Sequence, residues 1–172
     1  MKTFSLYFFA FLFTTSIFAQ TPFQEIQLDT GEDILLGTIT KEALQTGLYA
    51  NWFASNYEEY KTDDQRISQF QETLKEFHIL LFMGTWCSDS QREVPRVLKI
   101  LEKADFPEDQ IKMVALDKRD EFYKKSPGGE EWGLGINLVP TIIFLKEGKE
   151  AGRIVEIPIN SLEKDMEAIV LH

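Results

Sequence analysis

Ile79-Leu80-Leu81-Phe82-Met83 is an unbroken apolar run of strand length, closed by Gly84-Thr85. A strand with one face in water alternates apolar and polar residues, whereas a run without alternation fits burial on both faces. Such a strand needs a layer on each side of its sheet, which constrains the chain to a covered interior sheet. Met113 to Leu116, ending at Asp117, repeats the pattern, and Thr141 to Lys146 supplies a third strand. Glu147-Gly148-Lys149 reads as a tight turn, after which Ala151 to Val155 returns antiparallel.

Helical periodicity lies between these runs. Asp63 or Asp64 caps a helix whose apolar face is Ile67, Phe70, Leu74 and Phe77. A second helix runs from about Cys87 to Lys103 with Val94, Val97, Leu98 and Leu101 inward. Pro95 lies inside it, removes one backbone hydrogen bond and should kink it. Asn160 followed by Glu163 resembles a capping box for a last helix bearing Leu162, Met166, Ile169 and Val170. The order from residue 63 is α-β-α-β-(α)-β-β-α, with room for a short helix in the charged, glycine-rich stretch 118–135. This predicts an α/β fold: a mixed central sheet with helices on both faces. Upstream, Gln20 to Asp33 is polar and poorly periodic, and Ile34 to Ile39 has the length of a short strand. Thr40 can cap a helix carrying Leu44, Leu48, Tyr49, Trp52 and Phe53. The front end therefore reads as an N-terminal helical extension.

The first residues have a different character. Lys2 precedes an apolar run from Leu6 to Phe13, and Ile17-Phe18-Ala19 puts a small residue at a cleavage position. This is the layout of a secretory signal peptide. The run is short of the roughly 20 apolar residues of a membrane span. No cysteine follows it to carry a lipid. Three segments are expected: a leader over 1–19, an extension over 20–62 and a domain over 63–172. The mature protein is expected in the periplasm or outside the cell, with no stable membrane insertion after cleavage.

Charge and cysteine content narrow the function. With 18 basic and 28 acidic residues the net charge is -10. An acidic chain without a basic cluster is a poor partner for nucleic acid or an anionic membrane surface. One cysteine permits no internal disulfide, and two histidines beside it make a poor ligand set for zinc or an iron–sulfur cluster. No metal and no other cofactor are expected.

The chemistry gathers around Cys87. Trp86-Cys87-Ser88-Asp89-Ser90 opens a helix directly after a buried strand. The sulfur is thus placed at a helix N-terminus, where the macrodipole and unpaired amides favour the thiolate, the reactive form in disulfide exchange. Ser90 stands three residues on, where its hydroxyl can face the sulfur and donate to it. A single cysteine is otherwise often an inert buried hydrophobe, and Trp86 a core aromatic. Asp89 suits the first turn of a helix, though its charge near the sulfur would oppose thiolate formation. His78 and His172 have no catalytic role by position, and Asp117 reads as a solvated loop acid.

From Asp63 to His172 the sequence resembles the thioredoxin family. The family's strand-WCxxC-helix motif corresponds to Phe82-Met83-Gly84-Thr85-Trp86-Cys87-Ser88-Asp89-Ser90, and its helix proline to Pro95. The family's cis-proline loop corresponds to Val139-Pro140-Thr141, followed by the strand from Ile142 and the turn glycine Gly148. The resemblance implies a thioredoxin-like fold. It also implies Cys87 and Ser90 as the catalytic pair, and Trp86, Val139, Pro140 and Thr141 as substrate-binding residues. The departures are specific. Ser90 replaces the resolving cysteine, and Leu81 stands where the family has a buried carboxylate. The stretch between Asp117 and Pro140 is long, and exported bacterial members commonly carry front extensions.

The implied activity is thiol–disulfide exchange through one nucleophilic cysteine, in the service of redox homeostasis. It would form mixed disulfides with exported thiol- or disulfide-containing proteins, or with small-thiol adducts, and an external thiol reductant would release them. The alternative is a non-catalytic, chaperone-like module that captures extended peptides at the Pro140 loop.

Overall fold

The computed structural model describes residues 23–172. The expected leader over 1–19 lies outside them. In chain order the elements are β1 (Gln24–Gln27), β2 (Asp33–Ile39), α1 (Lys41–Leu44), α2 (Ala50–Glu59), α3 (Asp64–Leu74) and β3 (Phe77–Met83). There follow α4 (Ser88–Lys103), β4 (Ile111–Ala115), β5 (Thr141–Lys146), β6 (Lys149–Val155) and α5 (Leu162–Leu171). They build one open, mixed sheet in the order β1-β2-β4-β3-β5-β6. β3 runs parallel to β4 and antiparallel to β5, so the unbroken apolar run lies in the middle of the sheet.

Two cores result from the pleat of β3. Phe77, Ile79, Leu81 and Met83 point into the larger core, with Met113, Ala115, Ile142 and Phe144 from β4 and β5. All five α-helices bury apolar side chains there. Phe82, Val114, Leu116, Val139 and Ile143 form the smaller core on the opposite face, with Trp86, Leu134 and Ile136 packed against it. Helical structure on that second face is slight. The stretch 118–135 supplies a single 3-10 turn, Asp120–Phe122, rather than a helix. Pro127 and the glycines at 129, 133 and 135, all with positive φ, prevent a longer one.

The front end differs from its reading as a helical extension. β1 and β2 form an antiparallel hairpin, and β2 adds to the central sheet by pairing Gly37–Ile39 with Met113–Ala115. β1 is Gln-Glu-Ile-Gln on the sheet's edge, mostly exposed, so it carries none of the apolar alternation that marks a strand. The expected single helix over residues 41–53 is interrupted. α1 ends at Leu44, Gly47–Tyr49 form a 3-10 turn with Gly47 at φ 55°, and α2 follows.

α4 continues through Pro95 without a break. Its Lys99 ammonium donates to the Tyr57 and Tyr60 carbonyls at 2.7 Å, which fastens the C-terminal end of α2 to α4. A cation there also suits the helix dipole. Asp63 caps α3 by accepting from Arg66 N–H at 3.0 Å. The last helix starts one residue later than its sequence signal. Ser161, not Asn160, is the cap and accepts from Lys164 N–H at 3.3 Å. Glu163 is therefore not a capping-box partner. It is buried and accepts from the Tyr60 hydroxyl at 3.0 Å and from Asp63 N–H at 3.2 Å.

Candidate functional site around Cys87

β3 delivers the chain to a turn at Gly84–Trp86, and Cys87 is the N-cap of α4, with φ -95° and ψ 122°. The turn closes by Cys87 N–H donating to the Gly84 carbonyl at 3.0 Å. Cys87 is partly exposed and free, and its thiol donates to the Val139 carbonyl at 3.2 Å. The Val139-Pro140 bond is cis. The loop is held by Thr141, whose hydroxyl donates to the Leu138 carbonyl at 2.7 Å, and by Glu156 N–H, which donates to the Pro140 carbonyl at 2.7 Å. Two segments 52 residues apart thus meet through one sulfur–oxygen contact.

Trp86 flanks the sulfur. Its indole N–H donates to the Leu116 carbonyl at 2.9 Å, and its ring lies 5.7 Å from that of Tyr123. Where an indole is partly buried its N–H is best paired, and the carbonyl after β4 provides the partner. The ring also crosses directly over Gly84, where an added Cβ would come within 2.6 Å of the indole. The glycine before Thr85 is thus fixed by the tryptophan after it.

Ser90 does not make the expected contact. It is fully buried, and its Oγ accepts from Gly84 N–H at 3.2 Å. Among the described residues no Ser90–Cys87 hydrogen bond is present, because the hydroxyl faces back into the turn while the thiol faces the Val139 loop. Ser90 therefore holds the turn. Trp86, Cys87, Val139 and Pro140 are brought together at the sheet end. Thr141 stands behind them, 1% exposed, as the first residue of β5.

The acids near the site are accounted for by arginines. Asp89 pairs with Arg92 at 2.7 Å, and Arg92 also binds the buried Glu93 at 2.6 Å. The guanidinium holds its proton more tightly than an isolated arginine because it donates to Glu93 and then to Asp89. The Asp89 charge is thereby partly offset beside Cys87. Asp117 is not a solvated loop acid. It is 3% exposed and accepts from Arg119 N–H at 2.8 Å and from the Arg119 guanidinium at 2.6 Å. Burial would raise its carboxyl, but the Arg119 contacts prevail and hold it below the usual carboxylate range. Leu81 is fully buried in the larger core, so that position supplies no proton carrier.

Thr85, which the sequence marks only as a turn residue, and Tyr123, which it does not mark, both belong to the site. Thr85 is 3% exposed, and its Oγ1 accepts from Leu35 N–H in β2 at 3.2 Å. A polar residue next to Trp-Cys carried no periodic signal, and its partner lies 50 residues upstream. Away from the site, α1, the end of α4 and β4 enclose a hollow of about 520 Å³ lined by Ile39, Leu98, Leu101 and Phe106. It includes no residue of the Cys87 site. Among the described residues no helix is long and apolar enough to cross a membrane.

No family profile and no curated protein matches the chain. Solved structures do. Oxidised thioredoxin O2 from Arabidopsis thaliana is similar at 19% identity over 60% of this chain and 89% of that one, with a TM-score of 0.40. An HIV epitope scaffold is similar at 18% identity over 73% of this chain and 88% of its own, with a TM-score of 0.34. A protein of unknown function from Pseudomonas aeruginosa is similar at 17% identity over 73% and 87%, also with a TM-score of 0.34. The central strands β4-β3-β5-β6 of an open mixed sheet, with helical structure on both faces, give the chain a thioredoxin-like α/β fold.

Proposed function

We propose that the protein carries out thiol–disulfide exchange through Cys87 alone. The observation that carries this reading is the partly exposed thiol at a helix N-cap, 3.2 Å from the carbonyl before a cis-proline. The Cys87 thiol loses its proton to solvent, and the thiolate attacks one sulfur of a partner's disulfide. A Cys87–partner disulfide forms, the partner's own S–S bond breaks, and its second sulfur leaves as a thiolate. No net oxidation occurs in this step. With one cysteine in the chain, the adduct is released by an external thiol or by the partner's second thiol. Trp86, Val139 and the Pro140 loop would hold the extended partner segment, since a backbone beside a sheet end can pair with an added strand.

Trapping tests the reading. Wild-type protein isolated under acid quench should carry reducible adducts on non-reducing gels, and Cys87→Ser should carry none. An adduct-free wild type under the same quench would leave a peptide-binding module as the better description.

The leader makes an exported site of action part of the proposal, because disulfide chemistry persists in oxidising compartments. The mature protein should then begin near Gln20. Intact mass measurement checks this, and a retained Met1 on cytosolic protein would overturn it.

A further inference from the structure

β2 and β4 part company just where the site begins. Their pairing covers Gly37–Ile39 against Met113–Ala115, and β4 then leaves the ladder. β2 continues, with Leu35 1% exposed and opposite Glu25 of β1 on its other side. A buried backbone N–H without a partner is costly, and water cannot reach this one. The missing acceptor comes from a side chain. Thr85 Oγ1 takes the Leu35 N–H at 3.2 Å, in the place the departed strand would have occupied.

Thr85 is two residues from Cys87 and is held from a second direction. Its carbonyl accepts from the Gln91 side-chain amide of α4 at 2.7 Å. The neighbouring Gly84 is fixed by Ser90 Oγ at 3.2 Å on its N–H and by Cys87 N–H at 3.0 Å on its carbonyl. Among the described residues, the Leu35–Thr85 contact is the one hydrogen bond from the front end to the turn 84–87.

We propose that Thr85 is a positioning residue that couples the front hairpin to Cys87, so that the added strand β2 sets the placement of the sulfur against the Val139 carbonyl. The proposal rests on the reading of Cys87 as the reacting sulfur. It gives the front extension a definite part in the site. Reactivity falls steeply when a reacting atom is misplaced by even about an ångström.

Thr85→Val tests it, because valine keeps the shape and burial and removes only the acceptor. The native protein is alkylated with iodoacetamide at neutral pH, and Leu35 amide exchange is followed by NMR. Thr85→Val should slow Cys87 alkylation about three- to tenfold and speed Leu35 amide exchange at least tenfold. Thr85→Ser restores the acceptor and should return both towards wild type. Val170→Ala, in α5 and outside the site, serves as a control that lowers stability and should leave the alkylation rate unchanged. Wild-type alkylation in Thr85→Val would overturn the proposal, as would an equal slowing in Val170→Ala. Unchanged Leu35 protection would overturn it too. The alkylation readout does not require disulfide exchange. Absence of trapped adducts would therefore sink the exchange reading, and wild-type alkylation in Thr85→Val would sink this one, so the two failures are read separately.

Discussion

Ser90→Cys is expected to shorten the lifetime of mixed disulfides at Cys87 at least tenfold and to give the protein dithiol reductase activity. Residues three apart at a helix start are neighbours, and a thiol at position 90 that turns from Gly84 towards Cys87 comes within reach of the sulfur. A thiol at position 90 can therefore attack the Cys87–partner bond, form an internal disulfide and expel the partner as a thiolate. The wild type offers only a hydroxyl there, which cannot resolve the bond. The substitution has a structural cost. Ser90 Oγ accepts from Gly84 N–H in a fully buried position, and a thiol is a weaker acceptor. A loss of about 1 kcal/mol in stability should accompany the gain in turnover. Insulin reduction with an external thiol, and gels run without reductant, read the two effects. Adducts that persist as long in Ser90→Cys as in wild type would show that release is controlled elsewhere.

Glu163→Ala is expected to destabilise the protein by about 2–4 kcal/mol, lowering the melting temperature by roughly 5–15 °C. The side chain is 3% exposed and accepts from the Tyr60 hydroxyl at 3.0 Å and from Asp63 N–H at 3.2 Å. Burial, and then the Glu163 charge, push the Tyr60 phenol well above its ordinary range, so the hydroxyl stays a donor. Truncation takes the acceptor from the half-buried Tyr60 hydroxyl and from Asp63 N–H at the junction of α2, α3 and α5. Glu163→Gln keeps an acceptor at the same place and should recover part of the loss. Urea melts at neutral pH compare the three proteins. A cost below about 1 kcal/mol for Glu163→Ala would mean that water satisfies both donors.

The same glutamate marks a limit of reading along the chain. Its spacing from Asn160 resembles a local cap, but its partners are Tyr60 and Asp63, about 100 residues away. A cap signal is one local competition among several, and here burial against α3 prevailed. Asp117 is a local case: its burial goes with Arg119 folding back onto its carboxylate and with Lys124 N–H donating to its carbonyl at 2.9 Å, neither of which has a pattern. The β1 edge strand escaped because a strand with little to bury shows no alternation.

What the sequence determined by itself is the set of strongly patterned elements. The apolar runs of β3, β4 and β5 can satisfy their side chains only inside a covered sheet, and the helices over 64–74 and 88–103 follow from their apolar period and the Asp63 cap. The same local logic put Cys87 at the start of a helix. The tertiary structure alone decided what surrounds the sulfur. The thiol meets the Val139 carbonyl, Ser90 turns to Gly84, and Leu35 reaches Thr85. Each is a hydrogen bond between a side chain and a backbone N–H or C=O, and a backbone group carries no mark in the sequence. Their pairing is set by where the strands end, and strand ends depend on the packing of the whole sheet.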